Sequence, residues 1–429
     1  MKLVFHGGAR EVGRSCVEVV TEKRRILLDC GLKLSEHGTE FPMTIEDPEG
    51  IDAVFISHAH LDHTGALPLL DHQGMDCPIF ATKTTKALSH LLLKDAFKVG
   101  KITHQHIGYE VEDIRNVLGC MNRVKIDTKG DFDGLSYKYF DAGHIPGSAS
   151  VYINMDGTRI LYTGDINTIE TRLHKPAETD FPEVDLLICE STYGDREHPV
   201  RLKEEQRFIE SIEATLARGG SVIIPVFAIG RSQEIILLLA KQKFGVPVYF
   251  DGMGVAATDI ILENPESVKD AKALTSAMKK VNQIRRAGDR KGVLKEKCII
   301  VTTSGMLTGG PVIHYLKYMH TDPDNSLLIT GYQGEGTNGR MLLEEGVLFL
   351  DGFRKRVKCE IKKFDFSAHA GMSELKGLVR KIKPKKVIFM HGDEAPLMNL
   401  AEWASALDMD VKVPNLGETV EVVFPKDMG

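Results

Sequence analysis

The stretch His58-Ala59-His60-Leu61-Asp62-His63 places four side chains of metal-binding type within six positions. It follows the apolar run AVFIS at residues 53–57, so we expect a strand that ends where these side chains begin. Residues two apart along a strand point to the same side, so His58 and His60 can bind one ion. Asp62 and His63 lie on the turn into the next helix and can serve a second ion. The alternative, a histidine-rich polar loop without metal, would leave these groups costly to bury.

Four more residues repeat one arrangement, in which an apolar strand ends at or just before a metal-type side chain. They are Asp29 after RILL, His144 after KYFDAG, Asp165 after RILYTG and His391 after KKVIFM. Taken singly, such an aspartate is more often a turn or capping residue, and such a histidine is more often structural. Their convergence with the HAHLDH stretch favours a metal centre instead.

The number of candidate ligands fits two ions better than one. One ion would take His58, His60 and His144. The other would take Asp62, His63 and His391, with Asp165 bridging the two. Imidazole and carboxylate ligands suit Zn²⁺, and each ion would keep an open position for water, as catalytic zinc requires. Asp29 exceeds the ligand count, so we expect it to hold a ligand histidine in its tautomer.

Short apolar runs alternate with helical stretches along the chain, which favours α/β architecture. Residues 221–329 read as strands separated by helical stretches, the pattern of a mostly parallel sheet with crossovers. The metal-type residues lie on both sides of this stretch and nearly vanish inside it. The sequence therefore predicts an inserted domain at residues 199–356, within a core formed by residues 1–198 and 357–429.

The HAHLDH stretch and the four strand-end residues together resemble the metallo-β-lactamase superfamily. The interruption before the last histidine, with Glu190 in CESTYG and His369 in DFSAHA, is similar to the β-CASP nucleases. These include the cleavage subunit of the cleavage and polyadenylation specificity factor, its archaeal and bacterial relatives and, more distantly, RNase J. The resemblance implies a metallo-β-lactamase αββα sandwich with an inserted β-CASP α/β domain. It also implies a zinc-dependent ribonuclease with two zinc ions per chain, which acts in RNA processing or decay as an endonuclease, a 5′→3′ exonuclease or both.

By position, the resemblance assigns catalytic roles to Glu190 and His369, and Asp62 is predicted to serve catalysis as well as metal binding. The leaving 3′-oxygen of RNA needs a proton, which a histidine with a pKa of about 6.5 can donate. Glu190 could hold the second ring nitrogen of His369, although a purely structural histidine is the alternative. Predicted RNA contacts are Ser304, Gly305, Arg231, Gly334 and Gly336.

The run GEGTNG at residues 334–339 matches the dinucleotide-binding pattern G-x-G-x-x-G and follows a strand-like run. Only six residues separate Gly339 from Gly346, which is too short for the helix that such a unit needs before its next strand. We therefore expect no nucleotide cofactor, and a loop whose backbone N–H groups face RNA phosphate.

The formal charge of −6 does not by itself indicate a nucleic-acid-binding protein. Basic stretches at residues 279–297 and 354–363 could support phosphate binding, although such stretches are usually solvated surface. The seven scattered cysteines contain no C-x-x-C pair, and no apolar run is long enough to cross a membrane, so we expect a cytoplasmic protein. The apolar, strand-like stretch 411–424 and the habit of the archaeal relatives predict a homodimer.

Three other functions stay open at this point. A thioester or lactam hydrolase could use the same core, but the large insertion and the Glu190–His369 pair argue against it. A DNA nuclease is the second alternative; the DNA-repair branch of the resembled family typically has valine at the position of His391, which favours RNA. A noncatalytic scaffold subunit is disfavoured, because every expected metal position carries a ligand-type residue.

Overall fold

The computed structural model describes residues 1–35, 38–105 and 107–424. In chain order, its strands are β1 (Lys2–Gly7), β2 (Cys16–Val20), β3 (Arg25–Leu28), β4 (Lys33–Ser35), β5 (Gly38–Glu40), β6 (Ala53–Phe55), β7 (Ile79–Thr82), β8 (Met121–Val124), β9 (Lys129–Phe132), β10 (Leu135–Asp141), β11 (Ala149–Met155), β12 (Thr158–Tyr162), β13 (Leu186–Glu190), β14 (Val222–Pro225), β15 (Val248–Asp251), β16 (Asn282–Ile284), β17 (Ile299–Thr302), β18 (Ser326–Ile329), β19 (Val347–Leu350), β20 (Phe353–Arg356), β21 (Glu360–Lys363), β22 (Lys386–Met390), β23 (Asp410–Lys412) and β24 (Thr419–Glu421).

The α-helices are α1 (Leu61–Thr64), α2 (Leu67–His72), α3 (Lys83–Ile102), α4 (Val111–Cys120), α5 (Arg201–Ala217), α6 (Arg231–Leu239), α7 (Met253–Leu262), α8 (Ala271–Met278), α9 (Arg290–Val293), α10 (Pro311–Met319), α11 (Asn338–Glu345), α12 (Met372–Ile382) and α13 (Glu394–Ser405). None of the helices in the described part of the chain combines the length and hydropathy of a membrane-spanning segment.

The chain folds into two compact units. Unit 1 comprises Met1–Glu170, Pro176–Glu197 and the chain from His369 onward, and unit 2 comprises Thr171–Lys175 and His198–Ala368. Unit 2 is therefore inserted in the sequence of unit 1, and each unit has its own buried core.

Unit 1 contains two seven-stranded sheets with a common apolar core. Their strand orders are β24-β1-β2-β3-β6-β7-β8 and β23-β22-β13-β12-β11-β10-β9. Leu3 and Phe5 of β1 alternate with more exposed residues and share the buried core with Val151 and Ile153 of β11. This is the arrangement of two sheets that pack face to face through alternate side chains.

Helices cover the other face of each sheet of unit 1. Helices α2 and α4 bring Leu67 and Val117 to a second apolar cluster with strands β3 and β6. Helices α12 and α13 bring Leu375 and Leu397 to a third cluster with strands β13 and β22. The layers run helix, sheet, sheet, helix, and this confirms the αββα sandwich that the sequence predicts.

Unit 2 is built on a six-stranded sheet with the order β16-β15-β17-β14-β18-β21, in which every strand pair is parallel. Strands β14, β17 and β18 are buried at every position, as is usual for a parallel sheet with both faces covered. A separate antiparallel hairpin is formed by β19 and β20.

The division into units differs from the predicted domain boundaries by one residue at His198, which lies in unit 2, and by longer segments at two other places. Strand β21 pairs in parallel with β18, so residues 357–368 lie in unit 2. The short segment Thr171–Lys175 also lies in unit 2, because Arg172 forms an ion pair with Glu205 and its backbone N–H donates to Glu234. Neither long-range contact is visible in the local sequence.

A short eight-residue helix, α11, begins within the GEGTNG run at Asn338. The strand after this helix, β19, pairs antiparallel with β20 and does not join the six-stranded sheet. The run is therefore not part of a parallel strand-helix-strand unit of the dinucleotide-binding type.

The predicted C-terminal strands join the two sheets of unit 1. Strand β23 pairs with β22, and β24 pairs with β1 as the outermost strand of its sheet. Val420 and Val422 are buried in the core between the sheets.

Candidate metal and catalytic centre

The metal-type side chains of unit 1 follow strands whose carboxyl ends lie together. In the first sheet, β3 and β6 are parallel neighbours, which places Asp29 beside the HAHLDH stretch. In the second sheet, β10, β12, β13 and β22 run in one direction. The residues at or after their carboxyl ends are His144, Asp165, Glu190 and His391.

A first group of four side chains has the spacing of one ligand set. His58 Nε2 lies 3.2 Å from His60 Nδ1 and 3.5 Å from Asp165 Oδ2. His144 Nε2 lies 3.4 Å from His60 Nδ1 and 3.5 Å from Asp165 Oδ2. Ligand atoms about 2.0–2.1 Å from a tetrahedral zinc ion are about 3.3 Å apart. The group therefore fits a single tetrahedral ion.

A second group shares Asp165 with the first. His63 Nε2 lies 3.8 Å from Asp62 Oδ2 and 3.4 Å from Asp165 Oδ1. His391 lies 3.5 Å from Asp62 Oδ2 through Nε2 and 3.1 Å from Asp165 Oδ1 through Nδ1. Within the described residues, His63 Nε2, His391 Nε2 and Asp165 Oδ1 are buried and make no hydrogen bond. Buried polar atoms without partners are rare, so this convergence fits a cation-binding set.

Asp29 fixes the orientation of His63, a member of the second group. His63 Nδ1 lies 2.6 Å from Asp29 Oδ2, which also accepts hydrogen bonds from Ser57 Oγ and Tyr162 OH at 2.6 and 2.7 Å. A carboxylate can only accept, so His63 donates through Nδ1 and keeps the lone pair of Nε2 for a ligand bond. Ser57 Oγ lies 3.0 Å from His58 Nδ1 and, because its own proton goes to Asp29, can accept from that nitrogen.

A short helix carries Asp62 and His63 into place. Helix α1 lies against the segment after β3, where Cys30 N–H donates to His63 O and Leu32 N–H donates to Leu61 O. A Cβ atom on Gly31 would lie only 1.7 Å from Asp62 O, so this approach requires glycine.

The buried Glu190 and the partly exposed His369 form a pair beside Asp165. His369 Nδ1 lies 3.0 and 3.1 Å from the two carboxylate oxygens of Glu190, and His369 Nε2 lies 3.9 Å from Asp165 Oδ2. Glu190 is itself held by the backbone N–H groups of Ile166 and Thr192. The side chain of Glu190 is 1% exposed, whereas that of His369 is 20% exposed. His369 is thus the member of the pair that solvent or a substrate can reach.

The histidines of the centre differ in their tendency to hold a proton. Burial lowers the pKa of His58 and His60, which keeps both neutral, as ligands must be. Burial also disfavours the charged form of His63, but Asp165, Asp62 and Asp29 outweigh it and raise its pKa. For His369, burial is likewise outweighed by Glu190 and then Asp165, which raise its pKa to about 9.

Models of three domain families match successive parts of the chain. They are a "Beta-lactamase superfamily domain" at residues 24–218, a "Beta-Casp domain" at 232–342 and a "Zn-dependent metallo-hydrolase RNA specificity domain" at 354–414. The three matches follow the chain order of core, insert and core that the sequence predicts.

Related proteins match along nearly the whole chain. "Probable RNase MJ4" of Methanocaldococcus jannaschii is 41% identical over 98% of this chain and 100% of its own length. The chain belongs to the β-CASP family of the metallo-β-lactamase superfamily. "RNase aCSPSF2" of Saccharolobus solfataricus is 34% identical over 97% of this chain and 84% of its own length. "Transcription termination factor FttA" of M. jannaschii is 35% identical over 95% of this chain and 69% of its own length.

A solved structure shows the same fold. A protein of unknown function from Enterococcus faecalis V583 superposes with a TM-score of 0.58 and 15% identity, covering 98% of this chain and 99% of that one. At this identity the similarity concerns the fold alone.

The predicted RNA contacts of this β-CASP chain lie in loops at the carboxyl edge of the parallel sheet of unit 2. Arg231 follows the loop after β14, Ser304 and Gly305 follow β17, and Gly334 and Gly336 follow β18. These loops are linked: Gln333 Nε2 donates to Gly305 O at 2.9 Å, and a Cβ on Gly305 would lie 3.0 Å from Phe227 N. The structure brings the five residues to one edge, where ligands of parallel sheets commonly bind.

Two arginines of the basic stretch 279–297 have carboxylate partners within unit 2. Arg285 pairs with Asp259 at 2.6 Å, and Arg290 Nε lies 2.7 Å from the fully buried Asp251. Of the two, only Arg290 pairs with a buried carboxylate, whereas Arg285 is exposed like Arg286 in the same stretch.

Sequence analysis missed three residues of the centre, namely Ser57, Tyr162 and Gly31. Ser57 directly precedes the HAHLDH stretch, and its hydroxyl at the end of a buried strand could have indicated a hydrogen bond to the neighbouring metal-type residues. Tyr162 lies three residues before Asp165 at the end of β12, where its ring reads as ordinary core. Gly31 gives no local signal, because its role depends on the approach of a helix that is distant in sequence.

Proposed function

We propose that this chain is a metal-dependent ribonuclease that hydrolyses RNA phosphodiester bonds with two zinc ions. The observation that carries the proposal is that Asp165 belongs to two ligand groups at once, with the Glu190–His369 pair beside them. The relatives with RNase names, which match nearly the whole chain, support RNA as the substrate.

The two ligand groups would each hold one ion. His58, His60, His144 and Asp165 would form one set, and Asp62, His63, His391 and Asp165 the other. Zinc supplies Lewis acidity, which makes water a better nucleophile and balances charge on a phosphate. Asp29 would keep His63 in the tautomer that a ligand needs, and Asp62 would serve catalysis by fixing the second set.

His369 would protonate the leaving 3′-oxygen. Its Nδ1 is held by Glu190, so Nε2 is the nitrogen that faces the shared ligand Asp165. A proton held beside the ligand sets could pass to the oxygen that departs as the phosphodiester bond breaks. Glu190 would orient the ring and favour its charged form.

Unit 2 would bind the RNA strand through its carboxyl-edge loops. Ser304, Gly305, Arg231, Gly334 and Gly336 would offer backbone N–H groups and one cation to phosphates. We also propose that the protein acts in the cytoplasm without a nucleotide cofactor. The chain would form a homodimer, because β24 is the outermost strand of its sheet and could pair with a second copy. Light scattering that reports a monomer at micromolar concentration would contradict this last point.

The test is cleavage of RNA that carries either a 5′-end label or internal labels, with and without a chelator. Single-stranded DNA of the same sequence serves as the alternative substrate. We expect metal-dependent cleavage of RNA that exceeds cleavage of DNA. Fragments of mixed length from internal label indicate endonuclease activity, and stepwise mononucleotide release from the 5′ end indicates exonuclease activity.

The matched variants are His391→Ala, in the second ligand group, and His72→Ala, whose side chain is 53% exposed. We expect loss of cleavage only for His391→Ala. Cleavage that survives both the chelator and His391→Ala would overturn the proposal. Faster cleavage of DNA than of RNA would replace it with the DNA-nuclease alternative.

A further inference from the structure

The hairpin of β19 and β20 in unit 2, residues 347–356, carries exposed aromatic and basic side chains; we call it the basic ribbon. Leu348 and Leu350 turn inward and are buried, whereas Phe349 and Phe353 are 50% and 66% exposed. Phe349 faces Arg354 across the ribbon, and Arg356 follows on the same face by the alternation of strand residues.

The ring of Phe349 stands on a fixed backbone. The side chain of Asn338 accepts a hydrogen bond from Phe349 N–H at 2.7 Å and donates to Phe349 O at 3.0 Å. The same amide donates to Leu307 O at 2.9 Å, so it ties the ribbon to the loop that carries Ser304 and Gly305. Because the N–H and C=O of Phe349 face Asn338, Phe349 and Arg354 form a non-hydrogen-bonded pair, in which side chains lie closer. The ring is therefore exposed and held in place.

The ribbon and the residues after it carry a local positive charge. Residues 347–358 contain Arg354, Lys355, Arg356 and Lys358 but only one acidic residue, Asp351, in a chain whose net charge is −6. Arg354 pairs with Glu345, and the Lys355 ammonium lies 5.4 Å from the centroid of the Phe353 ring. Among the described residues, the exposed Arg356 and Lys358 have no ion-pair partner. Their charge is available to a polyanion.

We infer that the basic ribbon is a binding site for single-stranded RNA, with a nucleobase stacked on Phe349 and phosphates beside Arg356 and Lys358. Aromatic rings accept any base face, whereas cations beside them follow the backbone, which gives binding without sequence preference. Bases in a duplex have no free face, so the ribbon selects single strands. This inference rests on the proposed ribonuclease function, because RNA is taken as the substrate.

The composition of the ribbon favours RNA over a protein partner. The cores of protein–protein interfaces are depleted in lysine and form a continuous apolar patch. Here Arg354 lies opposite Phe349, three consecutive basic residues follow Phe353, and the leucines that would extend an apolar patch are buried. A second copy of this chain would also bring the same positive ribbon, and the two would repel each other.

The test compares steady-state kinetics of the full chain, loaded with zinc, on three probes. They are a uridine oligonucleotide, the same oligonucleotide paired in an RNA duplex, and bis(4-nitrophenyl) phosphate, a small diester without bases. The variants are Phe349→Ala and Arg356→Glu. Two matched controls lie in the same unit. They are Leu202→Ala, at a residue that is 74% exposed, and Lys272→Glu, also at an exposed residue.

We expect Phe349→Ala to raise KM for the uridine oligonucleotide by about fivefold or more, with kcat unchanged, because a lost base stack weakens binding by at least this factor. Arg356→Glu should also lower the slope of log KM against log salt by about 0.7, the value for one phosphate contact of a single strand. Hydrolysis of bis(4-nitrophenyl) phosphate should not change in either variant, and neither control should alter any probe.

Further variants separate stacking from folding. Phe349→Trp should keep the KM of the native chain, whereas Phe349→Leu should resemble Phe349→Ala, since leucine preserves apolar volume but cannot stack. If the native chain cleaves the oligonucleotide but Phe349→Ala and Arg356→Glu leave KM and its salt dependence unchanged, this inference is overturned while the proposed function stands. A native chain that hydrolyses the small diester but no RNA would instead refute the proposed function. If Phe349→Ala or Arg356→Glu instead loses self-association in light scattering without a change in KM, the ribbon is a protein interface and the inference is overturned.

Discussion

Replacement of His369 with alanine tests the acid step of the proposed mechanism. The side chain is held at Nδ1 by two contacts of 3.0 and 3.1 Å to Glu190, so only Nε2 is directed at Asp165, the proposed shared ligand. A general acid accelerates a reaction by about 10²–10⁴-fold. We therefore expect kcat for RNA to fall by that factor, which equals about 3–5 kcal/mol of transition-state stabilisation. Zinc content should stay the same, because seven other side chains form the two ligand groups.

The assay compares an ordinary RNA with one that has a 3′-bridging sulfur at the scissile bond. A thiolate leaves without a proton, so His369→Ala should regain much of its lost rate on the sulfur substrate. Glu190→Gln should lose less rate than His369→Ala. It should also move the alkaline limit of activity to lower pH, because Glu190 raises the pKa of His369. Loss of zinc from His369→Ala, or no rescue by sulfur, would refute the acid role and make His369 a ligand or a phosphate anchor.

Three further measurements address the metal centre and the fold. Metal analysis of protein purified without chelator should return two zinc ions per chain, and one ion in active protein would contradict the two ligand sets. Arg290→Ala should lower the free energy of unfolding by about 3–5 kcal/mol, because the buried Asp251 loses its cation. The control Arg286→Ala, at an exposed residue, should change it by less than about 0.5 kcal/mol. Equal losses of the two variants in denaturant titrations would show that the ion pair is not the cause. Burial lowers the pKa of His174 to about 3. The native chain should therefore lose stability relative to His174→Leu as pH falls below about 6.5, by about 2 kcal/mol at pH 5. Parallel profiles of stability against pH for the two proteins would contradict this.

The fold was predictable because its signals are local. The run RILL coincides with β3, and KYF and RILY lie within β10 and β12. The metal-type residues were predictable for the same reason, since each lies in the HAHLDH stretch or at or shortly after the end of an apolar run. Because neighbouring parallel strands end at the same edge of a sheet, the residues after them lie close together. The structure places the candidate histidine ligands within a few ångströms of Asp165.

The features that sequence analysis missed depend on contacts between distant residues. Tyr162 donates to Asp29 across 133 positions of sequence, and nothing near either residue indicates the bond. Arg290 reads as part of a basic surface, yet it begins helix α9 and its partner Asp251 lies at the end of β15. The unit boundary also depends on pairing, because β21 belongs with β18 only once the sheet is assembled. Charge and hydrophobicity patterns describe single elements, and they say little about which elements meet.

The charge balance of the metal centre gives an argument for two ions that is independent of ligand geometry. The centre contains four carboxylates, Asp29, Asp62, Asp165 and Glu190, and within the described residues their ion-pair partners are histidines. Buried carboxylates need compensating positive charge. Histidine supplies it only by holding a proton, and a histidine that holds a proton on its ligand nitrogen cannot bind metal. Protonated His369, which belongs to neither ligand group, compensates Glu190. The other three carboxylates carry more negative charge than one divalent ion balances, which favours two ions. The ions would then stabilise the folded chain as well as serve the reaction, because a site that binds only the folded state shifts the folding equilibrium toward it.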